Sequence, residues 1–453
     1  MAAFAESSVS QRLAKALDQF FRAGSLPDAV RDHAAVLMLD THMVALAGFV
    51  QPDVRAVSAS TANTGGAPEA GLWSGDARVP MAEAAFANAL AASALDFDSL
   101  HGNVHPSAIV QAAAWAAGEA IGASGQQVLK AFVLGSELIC KLAESVQGPQ
   151  KGWTIGTVLG VFGAAAAVGL LMGLGPERLQ HALGLCLSMA AGSQQANVEQ
   201  VLAKRLQPAF AARAGVVAAQ LARAGMTAPA QVFEGRFGLW ALYFPGDADV
   251  LPLDFGHGYA MLRTGLKQYP VCACSHAAME AFRDLLACTS PNDVARVEAS
   301  ISPFMDRLVG APFDPTTNPQ VTAQFSLRYA LAALAVHGRL GIAELSPAAV
   351  HHPEIAAFIE KMTVSVDPRN LGELAPARVA VVLGNGSRRE KTVTCMPGSD
   401  AAPMTVSARR EKYLDCASAA GLPDGEAYLK RVAHHFSVLA SQPVLPTLSP
   451  QTP

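Results

Sequence analysis

Apolar residues recur at spacings of three and four from Val9 to Phe21, which predicts an amphipathic helix. Asp28 reads as the cap of a longer helical run through Gly48. The interval Ser58–Pro80 is rich in Gly, Ala, Ser and Thr and reads as a loop with one short strand at Gly71–Ser74. From Met81 to Gly225 helix follows helix, broken at glycine-containing turns such as Gly122–Gly125 and Gly148–Gly152. Gly173–Glu177 stops one helix, and a Pro-started helix runs on into Leu187. Texture changes after about Pro245, where proline, glycine and aspartate cluster through Gly258. Strand-like alternation then appears at Val294–Ile301, Met362–Val366, Ala377–Leu383 and Lys391–Met396. The last two are joined by the hairpin signal Gly384-Asn385-Gly386-Ser387. Helices are expected between them at Gln324–Val336 and Pro353–Lys361, and again over Ser407–Ser441. The chain therefore divides into a large all-helical domain (1–260), a smaller α/β domain (265–400) and C-terminal helices (401–453) that return to the first.

The segment Ile155–Gly175 carries no charge and is long enough to span a bilayer, and it holds a Gly156-x-x-x-Gly160 pattern. It is mostly Ala and Gly, lacks flanking aromatic belts and stands alone, so the central helix of a helical core explains it better than a membrane span. Hydrophobic residues make up 51% of the 453-residue chain and charged ones 15%, which implies surface buried against a second subunit, a homodimer. A net charge of −4 gives no electrostatic case for nucleic acid or an anionic membrane. Seven scattered cysteines do not form a disulfide framework, and Cys272-x-Cys274 is too tight and too isolated for a zinc or iron–sulfur set. The N-terminus lacks a secretory pattern, so a cytoplasmic location is expected.

The densest chemistry lies in ALDFDSLHGNVHPS, where Asp96, Asp98, His101 and His105 crowd a turn between two apolar helices. Three readings fit: ligands for a metal ion, an imidazole oriented by a carboxylate for acid/base work, or a capped loop. Four further segments add to it. Lys204-Arg205 interrupts an Ala-rich region, and Lys267-Gln268-Tyr269-Pro270 leads into the Cys272–His276 turn. Gln324, Arg328 and Tyr329 share an apolar helix, and Lys151-Gly152-Trp153-Thr154 opens one whose backbone N–H groups could receive an anion. Several cations, imidazoles, a phenol and a carboxylate suit the binding of a small polycarboxylate and the movement of a proton beside a carboxyl group. No phosphate loop, nucleophile elbow or dinucleotide fingerprint is present.

In order, ALDFDS…HPS, KGWTIGTVLGVFGAAAA, AKRLQPAFAARAG, LKQYPVCACSHAAMEA and AQFSLRYALA resemble the MmgE/PrpD family from about residue 10 to 435. That family includes 2-methylcitrate dehydratase, cis-aconitate decarboxylase and iminodisuccinate epimerase. The resemblance implies a mostly α fold, with a large helical domain and a smaller α/β lid domain. It also implies a homodimer, and cofactor-free chemistry on small di- or tricarboxylates; separately, the lack of closed ligand spacing in the sequence leads to the expectation of no metal. Matched by motif, Asp96, His105, Lys204, His276 and Tyr329 are the expected catalytic residues, with Asp96 orienting His105. Lys267, Thr154, Arg205 and Cys272 are the expected substrate-binding set. The chain also departs from the pattern. Thr154 stands at an expected active-site histidine, Ser99 and Leu100 replace an Asp-Thr pair, and Gln207 and Ala209 replace a histidine and a glycine. Cys272 occupies the position of the decarboxylase branch's histidine. A threonine hydroxyl cannot replace an imidazole as a base near neutrality, so dehydration is the first expectation. Epimerisation, or binding of a carboxylate without turnover, are the alternatives.

Overall fold

The computed structural model describes residues 7–146, 152–244, 255–445, 448 and 450. The sequence change near Pro245 falls partly outside them. The described residues build two hydrophobic cores. The first joins the helices between Val9 and Arg223 with the C-terminal helices Val406–Ala419 and Gly425–Ser437. The second runs from Tyr269 to Val381 around a small sheet.

The uncharged segment forms the helix Ile155–Leu171, buried along its whole length. Among the described residues no single helix is long and apolar enough to cross a membrane. This helix packs on Gly125–Glu144 and Ala203–Arg223, and at Gly163 it meets the backbone of its neighbour, whereas Gly160 faces the Ile109 side chain. A Cβ on Gly163 would sit 2.5 Å from the Gly135 carbonyl oxygen, and one on Gly135 would sit 2.6 Å from that of Gly163. Backbone meets backbone there, so neither position has room for a side chain.

The sheet has the order Met362–Val366, Val294–Ile301, Ala377–Leu383, Arg388–Val393. The first pair is parallel and the other two are antiparallel. Three of the strands occupy their predicted spans. The fourth begins three residues earlier than predicted, because the tight turn closed by Leu383 N–H on Ser387 O (2.9 Å) starts the pairing at Arg388. The predicted Gln324–Val336 helix is observed as Leu327–His337, begun where the Ser326 hydroxyl caps it by accepting from Tyr329 N–H, and Gln324 instead ends a separate helix, Pro319–Gln324. Pro at the first helical position starts a helix at Pro52–Ala62 inside part of the predicted loop, and the short strand is Ala70–Gly71, paired with Arg78–Val79.

The C-terminal helices pack on Asp28–Phe49. Lys412 inserts there, 2.6 Å from an Asp40 carboxylate oxygen, with both side chains almost fully buried. Replacing Gly163 by Ala should lower the denaturation midpoint, costing about 1–3 kcal/mol through overpacking. Chemical denaturation with an unchanged midpoint would show that the two helices have slack at this crossing.

Candidate active site

The site begins where the helix Met81–Ser93 ends. Asp96 adopts a left-handed backbone, φ 49°, which aspartate tolerates better than most residues. The chain then turns back, and Leu100 exchanges backbone hydrogen bonds with Gly265 (3.0 and 2.8 Å). Gly265 admits this because a Cβ there would lie 2.3 Å from the Gly398 carbonyl oxygen. The bridge brings the Asp96 turn beside Lys267. The Lys267 ammonium donates to the Asp96 backbone carbonyl (2.8 Å) and to Oδ2 (2.6 Å), and Lys204 donates to Oδ1. Burial works against the charge on Asp96, but the two lysines and His105 outweigh it and hold the carboxyl well below the usual carboxylate range. Burial likewise disfavours the Lys267 ammonium, but Asp96 and Asp98 overcome it and raise its pKa.

After Leu100 the chain makes a tight turn through Gly102-Asn103, with His101 and Val104 exchanging backbone hydrogen bonds (2.8 and 3.0 Å). His101 points away from Asp96 and meets Glu144 (2.8 Å). His105 then caps the helix Pro106–Ile121, with proline restricting its backbone to an extended form. Its Nδ1 lies 3.0 Å from Asp98 Oδ2. Asp98 is buried, and His105, with the neighbouring Lys267, keeps it ionised against that burial. The pair fixes Nδ1 as the protonated nitrogen and leaves Nε2 for chemistry.

A cavity of about 140 Å³ lies between the two cores, lined by Asp96, Asp98, His105, Lys204 and Lys267. Leu100, Ile109, Phe304, Leu308 and Leu374 supply apolar wall, and Thr154, Gln194, Asn197 and Gln207 supply neutral polar wall. Ile155 and Gly156 set the amino end of the long central helix against the same space, a place where backbone N–H groups favour an anion. From behind, Lys412 donates to the Phe97 carbonyl (2.8 Å) and stacks its ammonium 4.3 Å from that ring.

The predicted residues separate into two groups. Asp96, His105, Lys204, Lys267, Thr154 and Cys272 line one cavity. The expected pairing is different, however, because the carboxylate touching His105 is Asp98, and Asp96 serves the two lysines. Alternation within the turn explains this, since residues two apart can take separate partners. The other three point elsewhere. His276 is fully buried against the Val271 carbonyl (3.3 Å), and burial beside Lys267 pulls its pKa down to about 3. Tyr329 donates to the Glu344 carbonyl inside the second core, and burial raises its pKa. Arg205 forks onto Asp53 (2.9 Å to each oxygen) and Gln320 (2.6 Å). Arg328 is spent on the carbonyls of Gly310 and Ala311, and Gln324 accepts from Arg205. Lys151 lies outside the described residues. Asp96, Asp98, His101 and His105 do not converge as metal ligands, and among the described residues no three His, Cys, Asp or Glu side chains do. Sequence reasoning missed the neutral wall residues Gln194 and Asn197, which carry no charge or spacing signal. It also missed the role of Lys412, whose partner lies more than 300 residues away in the chain.

Comparison with known proteins gives a consistent assignment. The pattern of the MmgE/PrpD N-terminal domain matches residues 11–251, and that of the MmgE/PrpD C-terminal domain matches residues 269–433. The chain is 25% identical to human cis-aconitate decarboxylase over 461 residues, 97% of this chain and 94% of that one. It is 28% identical to the cis-aconitate decarboxylase-like protein oryM of Aspergillus oryzae over 366 residues, covering 74% of this chain and 75% of oryM. With cis-aconitate decarboxylase of Aspergillus terreus the figure is 25% over 340 residues, 68% and 69% of the two chains. Both domain patterns fall in order along one chain, over the same segments that build the cavity, and the protein belongs to the MmgE/PrpD family.

Proposed function

We propose that this protein is a cofactor-independent lyase of small polycarboxylates, in which His105 transfers a proton at the carbon next to a carboxylate. The observation that supports it most is the Asp98–His105 pair opening on a cavity that also holds two lysines. In this reading a substrate carboxylate docks near Lys204 and the helix end at Ile155-Gly156, and Asp98 holds the imidazole so that Nε2 faces the reacting carbon. Among the described residues, His105 is the only imidazole that lines the cavity. Loss of carbon dioxide needs one proton donor: the bond to the leaving carboxyl breaks, its electron pair stays on carbon, and a proton carried on Nε2 of the doubly protonated ring, whose Nδ1–H stays on Asp98, quenches it. Elimination of water needs a base and a separate acid for the departing hydroxyl.

His276 and Tyr329, expected to supply that second group, do not line the cavity. The geometry therefore favours decarboxylation over the dehydration that the sequence departures suggested, and two of the named relatives are cis-aconitate decarboxylases and the third is cis-aconitate decarboxylase-like. Dehydration of a 2-methylcitrate-like acid is the second reading, supported by the Lys204 ammonium, which could protonate a leaving hydroxyl in the same space.

Incubation of the enzyme with cis-aconitate, 2-methylcitrate, citrate and iminodisuccinate in deuterated water should yield carbon dioxide and a product bearing one new C–D bond. Water loss without carbon dioxide selects the second reading. Deuterium exchange alone would select an isomerase, and no reaction with any acid would leave a binding protein. His105→Gln should lose about 10²- to 10⁴-fold in turnover while keeping its near-UV circular dichroism. Asp98→Asn should lose turnover in the same direction, because an amide can also hold the wrong tautomer. Normal turnover by both variants would remove the pair from the mechanism. Activity should also survive exhaustive EDTA treatment. Loss on chelation, restored by one divalent ion, would bring back a metal role.

A further inference from the structure

The charges that line the cavity are already matched to one another. Lys204 and Lys267 both bind Asp96, and Asp98 binds His105, so among the described residues no lining ammonium is left without a carboxylate. Among the described residues, what remains for an incoming anion is the spare N–H groups of Lys204, the partial charge of the helix end at Ile155-Gly156 and one proton on His105. That capacity suits one or two carboxylates. A third would have to lose its water without a cation to receive it.

The rest of the wall tells against a third carboxylate as well. Thr154, Gln194, Asn197 and Gln207 are uncharged. The Gln207 amide nitrogen donates to the Ser193 carbonyl (2.8 Å), so turning the amide over would set two oxygens against each other. The Gln207 carbonyl oxygen and the Thr154 hydroxyl are buried without hydrogen-bond partners. The Gln207 oxygen, an acceptor held in this way, repels a carboxylate, while the Thr154 hydroxyl has one hydrogen bond to give to a ligand. Facing them, Leu100, Ile109, Phe304, Leu308 and Leu374 present an apolar surface drawn from both sides of the cavity. That surface would gain from covering an alkyl group and would lose by desolvating a charge.

We propose that this cavity selects a dicarboxylate whose third arm is neutral and largely apolar, in preference to a tricarboxylate, with Gln207 as a residue that sets this preference. The inference rests on the lyase reading for where the reacting carboxylate lies, but its test is a binding measurement. Titration calorimetry would compare cis-aconitate with ethylmaleate, which has the same skeleton with the terminal carboxylate replaced by a methyl group. The wild-type protein should bind ethylmaleate at least tenfold more tightly. Gln207→Lys, which places a cation on the neutral wall, should tighten cis-aconitate at least tenfold and leave ethylmaleate little changed.

Tighter binding of cis-aconitate than of ethylmaleate by the wild-type protein would overturn this inference and leave the lyase reading standing. Equal gains for both ligands in Gln207→Lys would remove Gln207 from the selection. Binding of neither ligand at millimolar concentration would overturn both this inference and the lyase reading.

Discussion

Asp96 held between two ammoniums is the contact on which the site depends. Lys204 comes from a helix of the first core, Lys267 from the segment that leads into the second, and Asp96 from the turn between two buried helices. Lys267 is almost wholly buried, and its charge is tolerable only because Asp96 answers it twice, through its carboxylate and its backbone carbonyl. Removing the carboxylate would leave an unpaired buried ammonium, which costs several kcal/mol, on the order of 3–5. The left-handed backbone at Asp96 persists because these contacts over-determine it. Asp98 and His105 inherit their placement from that turn. The Asp98–His105 pair therefore stands on the neighbouring triad of Asp96, Lys204 and Lys267.

Much of the fold was legible in the sequence, and the reasons are local. Val294–Ile301, Met362–Val366 and Ala377–Leu383 alternate with period two, and that pattern fixes strand limits wherever one face is buried. The apolar run from Ile155 could be nothing but a buried helix once membrane features were missing around it. Errors came where a single hydroxyl or turn overrides periodicity. Ser326 starts the apolar helix at Leu327 rather than at Gln324, and the hairpin turn after Leu383 pulls the last strand forward.

The candidate site was half legible. Residue types and motif order brought Asp96, His105, Lys204, Lys267, Thr154 and Cys272 to notice, and one cavity gathers all six. Their partners were not legible. Which of two aspartates two residues apart meets an imidazole depends on the backbone twist at Asp96, and no spacing rule encodes it. His276 and Tyr329 carry reactive groups, but whether such a group faces a cavity or a backbone carbonyl is decided by packing between distant segments. The neutral wall was invisible for the opposite reason, since amide and hydroxyl side chains are common everywhere.

Lys412 reaches the site from the far end of the chain. It lies beyond the sheet, on a helix that returns to the first core, and it holds the Phe97 carbonyl from behind the Asp96 turn. During synthesis the turn, both histidines and both lysines leave the ribosome long before this residue does. Until Lys412 arrives, Asp40 has no Lys412 ammonium beside it, and the Phe97 carbonyl lacks its donor. A nascent or truncated chain that stops short of Val406–Ala419 therefore holds every group that touches the cavity without the scaffold that aims them.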